Sequence, residues 1–190
     1  MGGRFMLTRL LTGVAALVLV TGVFGAGTAK SGPQVGKEVP GPFHPLNVTG
    51  EEAGKKACLY CANGENPVAV VFARGVNPQV ATLLKKLEEA TEKNAEAKMG
   101  SFAVFCSDQQ GLEQTLKDLA GKQGLKKLVL AIDNPAGPKD YEISKDAEVT
   151  VLLYNDFTVR ANHAFKAGEL NQKSIDAIVA DVAKIVVPAK

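Results

Sequence analysis

Val68-Ala69-Val70-Val71-Phe72-Ala73-Arg74-Gly75-Val76-Asn77-Pro78-Gln79 is the stretch that decides how this chain is read. Its first six residues are apolar without interruption and rich in β-branched valine. That is the pattern of a short strand covered on both faces, since a strand with one wet face would alternate. Asn77-Pro78 then starts a helix. Asparagine accepts from the first free backbone N–H groups, and proline at the first helical position has no N–H to leave unpaired. Val80, Leu83, Leu84, Leu87 and Ala90 follow at helical spacing. The spacing predicts an amphipathic helix from Pro78 to about Lys98, stopped by Gly100.

The same alternation continues downstream. Ser101 to Cys106 reads as a second buried strand, and Leu112, Leu116 and Leu119 mark a helix ended near Gly121 and Gly124. Leu128 to Ile132 is a third strand. A turn-rich passage, Asn134-Pro135-Ala136-Gly137-Pro138, leads to Tyr141 and Ile143. Val149 to Tyr154, a hairpin signal at Asn155-Asp156 and a return strand from Phe157 to Phe165 come next. Ile175, Ile178, Val179, Val182 and Ile185 give a closing helix. Alternating strands and helices argue for parallel pairing, and the late hairpin adds antiparallel strands. The expectation is an α/β fold with a mixed sheet and helices on both faces.

Upstream, residues 30–45 carry Gly32, Pro33, Gly36, Pro40, Gly41, Pro42 and Pro45, an extended lead-in that cannot be helical. Residues 46–190 form the expected domain. Residues 1–29 have the anatomy of an export signal. Arg4 and Arg9 precede the 15-residue apolar stretch Leu10 to Phe24, and Gly25-Ala26-Gly27-Thr28-Ala29 offers small residues to a peptidase. The stretch is short for a spanning helix, which needs roughly 20 apolar residues. An uncleaved anchor is the competing reading, and it would be the chain's one contact with a membrane. The protein is thus expected to be exported, periplasmic or secreted. Beyond residue 29 the chain carries 20 basic and 20 acidic residues, with only short lysine pairs. That balance argues against nucleic acid as a partner.

Several segments resemble the thioredoxin superfamily, and within it the redoxin and peroxiredoxin (AhpC/TSA-like) domains. Val35-Gly36-Lys37-Glu38-Val39-Pro40 with Phe43, Leu46 and Asn47-Val48-Thr49-Gly50 is similar to their entry segment and short first strand. Pro67 to Phe72 resembles their strand leading to the active site. Ala131-Ile132-Asp133, Gly137, Tyr141-Glu142-Ile143, Val149 to Asn155 and Val159 resemble their later half. The resemblance implies a thioredoxin-like three-layer α/β/α sandwich. In such domains the reactive cysteine follows this strand, at the start of the next helix, where unpaired N–H groups favour a thiolate. Here Ala73 to Gln79 contains no cysteine, so ordinary peroxidase activity is not expected. Glu148-Val149-Thr150 stands where the family has a proline.

Cys58-Leu59-Tyr60-Cys61 is a C-x-x-C pair, the spacing of thiol–disulfide oxidoreductases, with Lys55 and Lys56 nearby to favour a thiolate. The pair precedes the strand at Val68 and is expected in a connection, without a helix of its own. Two readings stand at this point. One is a redox pair acting on a protein thiol or disulfide; the other is a structural disulfide in a non-catalytic binding module. A copper site of Cys58, Cys61 and either His44 or His163 is a third and poorer match, and no cofactor is implied otherwise. Cys106 closes its own strand and is expected to be a free, buried thiol. Parallel pairing would put it about 20 Å from the C-x-x-C pair, six residues at roughly 3.3 Å each. Asn47-Val48-Thr49 fits a glycosylation acceptor.

Overall fold

The computed structural model describes Met1 and residues 29–186. The expected export signal lies outside the described residues except for its two ends. The elements follow in the order β1 (Leu46–Asn47), α1 (Leu59–Asn63), β2 (Val68–Ala73), α2 (Pro78–Lys93), β3 (Gly100–Cys106), α3 (Leu112–Gln123), β4 (Val129–Asp133), β5 (Val149–Asn155), β6 (Thr158–Phe165) and α4 (Gln172–Asp181). The strands make one sheet in the order β1-β4-β3-β2-β5-β6. β2, β3 and β4 are parallel, while β1, β5 and β6 join antiparallel. Central β2 is buried at all six positions, as its unbroken apolar run requires.

One face of the sheet is covered by α2, α3 and α4 through Val80, Leu83, Leu84, Leu87, Leu116 and Ile178. The other face is covered more thinly. Leu59 of α1 packs there with Val39, Phe43, Tyr141 and Ile143. The mixed sheet between two such layers is the expected α/β/α arrangement. Residues 30–45 are part of the second layer. Asn162 Nδ2 donates to the carbonyls of Ser31 and Pro33 at 2.9 and 2.8 Å, and Val39 N–H donates to the Phe157 carbonyl at 2.8 Å. Among the described residues, no helix is long and apolar enough to cross a membrane.

Several boundaries differ from the sequence reading, and three of them have a clear local reason. α2 ends at Lys93 rather than near Lys98, because the Asn94 side chain turns back to the Ala90 carbonyl at 2.8 Å. Gly100 opens β3 instead of merely stopping a helix; a Cβ there would fall on the Asn63 side chain. The hairpin turns on Asp156-Phe157, one residue later than expected, with φ of 49° and 56°. A two-residue hairpin loop of type I′ demands positive φ at both positions, which suits glycine and asparagine. Phenylalanine there costs about 1–2 kcal/mol. Its ring meets Tyr60 at 5.1 Å. Such a pair adds roughly 0.5–1.5 kcal/mol, so the contact offsets the strain without exceeding it.

Candidate functional site

Cys58 and Cys61 form a disulfide, with Cα atoms 5.2 Å apart. The expectation of a plain connection is corrected here, because the pair sits on its own one-turn helix, α1. Cys58 is the N-cap in extended conformation, and its Sγ accepts the Cys61 N–H at 3.0 Å. The turn forms because Leu59 is anchored in the core and Asn63 Nδ2 donates back to the Leu59 carbonyl at 2.7 Å. Gly64 ends it at φ 54°. Asn63 abuts Gly100, Tyr60 meets Phe157, and the Asp156 N–H donates to the Glu65 carbonyl at 3.0 Å. These contacts hold α1 at the end of the sheet where β2 and β3 begin.

Exposure distinguishes the two sulfurs' residues: Cys61 is exposed and Cys58 is half-buried. Cys61 is therefore the more accessible residue of the pair, and the case to consider is attack on its sulfur. The displaced sulfur is then Cys58, which already faces a backbone N–H donor, and such a hydrogen bond strengthens when the acceptor is charged. Of the two nearby lysines, Lys55 is engaged by Glu52 at 3.0 Å on the surface.

The opposite end of β2, where the resemblance places a reactive cysteine, is built differently. Asn77 caps α2 by accepting the Val80 N–H at 2.8 Å, so neither thiol of the pair caps that helix. Arg74 reaches over the sheet edge and donates to the carbonyls of Ser144 at 3.0 Å, Ala147 at 3.4 Å and Ile143 at 3.5 Å, and to that of Pro135. A guanidinium that straps down the loop after β4 thus occupies the neighbourhood. Cys106 is free and buried, as expected. Burial, with Asp133 adding to it and Arg74 opposing it, pushes its thiol up to about 12. A thiol kept protonated is not a nucleophile near neutral pH. The parallel register of β2 and β3 sets it at the far end of β3 from Gly100, which abuts α1.

The remaining candidates do not converge on the pair. His163 is buried with Nε2 3.0 Å from Asp181 Oδ2, an oxygen pair shared with Lys184 Nζ at 2.8 Å. Among the described residues, no three His, Cys, Asp or Glu side chains gather as a metal-ligating group. Asn47 is buried in β1, so the Asn47-Val48-Thr49 pattern does not present an accessible acceptor. What the sequence reading missed is the Tyr60–Phe157 contact and the Arg74 strap. The first carried a faint signal, an aromatic residue directly after Asn155-Asp156; the second carried none, since its acceptors are backbone carbonyls.

No protein-family model matches the sequence, and no curated protein matches it. Solved structures match in fold. A candidate protein disulfide isomerase from Bacteroides thetaiotaomicron is similar with a TM-score of 0.61 at 15% identity, over 83% of this chain and 94% of that one. The reduced 2-Cys peroxiredoxin of Plasmodium vivax gives 0.59 at 18% identity, over 80% and 81%. The peroxidoxin BcpB from Mycobacterium tuberculosis gives 0.56 at 14% identity, over 82% and 97%. At these identities the likeness is one of fold, and function has to be argued from the site.

Proposed function

We propose that this chain, which has a thioredoxin-like fold, is exported and there exchanges thiols and disulfides with a protein partner through Cys58 and Cys61. The observation that carries the reading is an exposed Cys61 in a disulfide whose other sulfur already accepts a backbone N–H. A substrate thiolate attacks Cys61 Sγ, the Cys58–Cys61 bond breaks, and its electron pair leaves on Cys58 Sγ beside that N–H. A second substrate thiolate then attacks the substrate-side sulfur of the mixed disulfide, so that the substrate S–S bond forms and Cys61 Sγ leaves with its electron pair. The substrate departs as a disulfide, and the pair keeps two electrons and two protons. The reverse sequence reduces a substrate disulfide. An oxidising compartment, which the Arg4–Ala29 segment implies, is where such a bond persists.

Magnitude weighs against a mere staple. Closing a four-residue loop removes little chain entropy, about 2 kcal/mol on the loop-closure model. The turn is already held by Leu59, Tyr60 and Asn63. The binding-module reading has one observation in its favour: Arg74 and Asn77 fill the place where this fold usually carries its nucleophile. Equilibration of the purified protein with glutathione redox buffers separates the two. A potential above about −300 mV with measurable glutathione exchange supports exchange chemistry; a lower potential without exchange makes the bond a staple. N-terminal sequencing of protein recovered from the cell exterior or envelope tests export, with a start near Ala29 as the expected result.

A further inference from the structure

We infer that Asn63-Gly64 is a redox-gated deamidation site, closed while Cys58 and Cys61 are joined and opened when a thiol reduces them. The inference goes beyond thiol exchange and needs only that the disulfide can be reduced.

Asn63-Gly64 is the chain's one Asn-Gly step. Such steps are the most reactive asparagine positions, because glycine has no Cβ to shield its backbone nitrogen. That nitrogen attacks the asparagine Cγ and gives its proton to solvent, and Nδ2 leaves as ammonia. Water then opens the succinimide ring so formed. Attack at Cγ gives aspartate, and attack at the backbone carbonyl gives isoaspartate.

The turn α1 needs both residues for reasons of its own. Gly64 ends it at φ 54° and ψ −138°, a backbone conformation that suits glycine. Asn63 Nδ2 donates to the Leu59 carbonyl at 2.7 Å. The same contacts occupy the groups that would react. Gly64 N–H is committed to the Tyr60 carbonyl at 3.2 Å, and the half-buried Asn63 amide lies against Gly100, where a Cβ would fall on its Oδ1. Both acceptor carbonyls, those of Leu59 and Tyr60, belong to residues between Cys58 and Cys61, inside the ring the disulfide closes.

Attack therefore requires Gly64 N–H and the Asn63 amide to leave those carbonyls together, which is a local opening of α1. The closed four-residue ring restrains that opening, and cutting it raises the open population by up to about 25-fold on the loop-closure model. The product is a lasting one. Its carboxylate has no N–H for the Leu59 carbonyl and sets a negative charge against it. The site thus records time spent in the reduced state.

The test incubates three samples at pH 8: the oxidised protein, the same protein held in dithiothreitol, and Cys58→Ser/Cys61→Ser. Peptide mass mapping follows the conversion of the Asn63 amide to acid. The expected result is deamidation about tenfold faster in the reduced protein and in the variant than in the oxidised protein, within the limit set by the ring. Hydrogen exchange checks that the opening is local: Gly64 N–H should lose protection on reduction while the β2 amides keep theirs. Equal rates in the oxidised protein and the variant, whether slow or fast, overturn the inference while leaving exchange intact. So does a faster reaction accompanied by loss of β2 protection, which is unfolding of the whole domain. Failure of dithiothreitol to reduce the pair overturns the exchange reading itself, and this inference with it.

Discussion

The Glu88 carboxylate accepts the Leu128 N–H at 2.7 Å, joining the middle of α2 to the residue just before β4. The same carboxylate takes the N–H groups of Lys126 at 2.8 Å and Lys127 at 3.0 Å, and it is fully buried. A buried anion is tolerable only when its oxygens are satisfied, and here three successive backbone donors do so.

Glu88→Ala leaves those N–H groups buried without partners. The expected loss is about 3 kcal/mol, from orphaned donors at roughly 1–3 kcal/mol each with partial relaxation. Glu88→Gln keeps one acceptor oxygen and should lose less. Urea denaturation of the two variants measures both, and equal stability to the parent would show that the donors find water.

The double variant Cys58→Ser/Cys61→Ser is expected to fold and to lose no more than about 2 kcal/mol of stability, the loop-closure figure for so short a ring. It should exchange nothing with glutathione. A loss well beyond that figure would mean that the bond holds the second layer of the fold in place.

Cys106 should resist thiol reagents in the native protein at pH 8 and react only on unfolding. Its thiol is at about 12 in the fold against 9.0 for the free group. The folded state therefore prefers the protonated form. This contribution to stability is fully present below pH 9.0 and is lost as pH rises towards 12, because the unfolded chain ionises first. Denaturant titrations at pH 8 and pH 10.5 should show stability falling in the parent and falling less in Cys106→Ala.

Tyr154 is buried opposite Val68, and its hydroxyl has no hydrogen-bond partner among the described residues. Burial, reinforced by Tyr141 and Tyr60, raises its phenol well above the ordinary range. Tyr154→Phe removes the unpaired group while keeping the ring. A gain of about 1 kcal/mol is expected, and thermal denaturation reads it.

The local signals were strong wherever one periodicity ruled. Val68–Ala73 is a strand at its expected residues, and Asn77-Pro78 does start α2. Signals were weak where a contact from elsewhere in the chain set the outcome. The end of α2 depended on how Asn94 folds back, the start of β3 on the room Asn63 leaves, and the hairpin on Phe157 meeting Tyr60. α1 is too short to show a period at all.

Sequence alone determined the α/β order, the burial of β2 and the absence of a cysteine between Ala73 and Gln79, because runs, caps and residue identities are properties of the chain itself. Tertiary structure decided the rest. It gave Cys58 and Cys61 their own helical turn with unequal exposure, set Arg74 across four carbonyls, and brought Phe157 to Tyr60. The reason is one of range: a cap or an apolar run is fixed by neighbours a few residues away. Which side chains meet across the fold depends instead on strands far apart in sequence lying side by side.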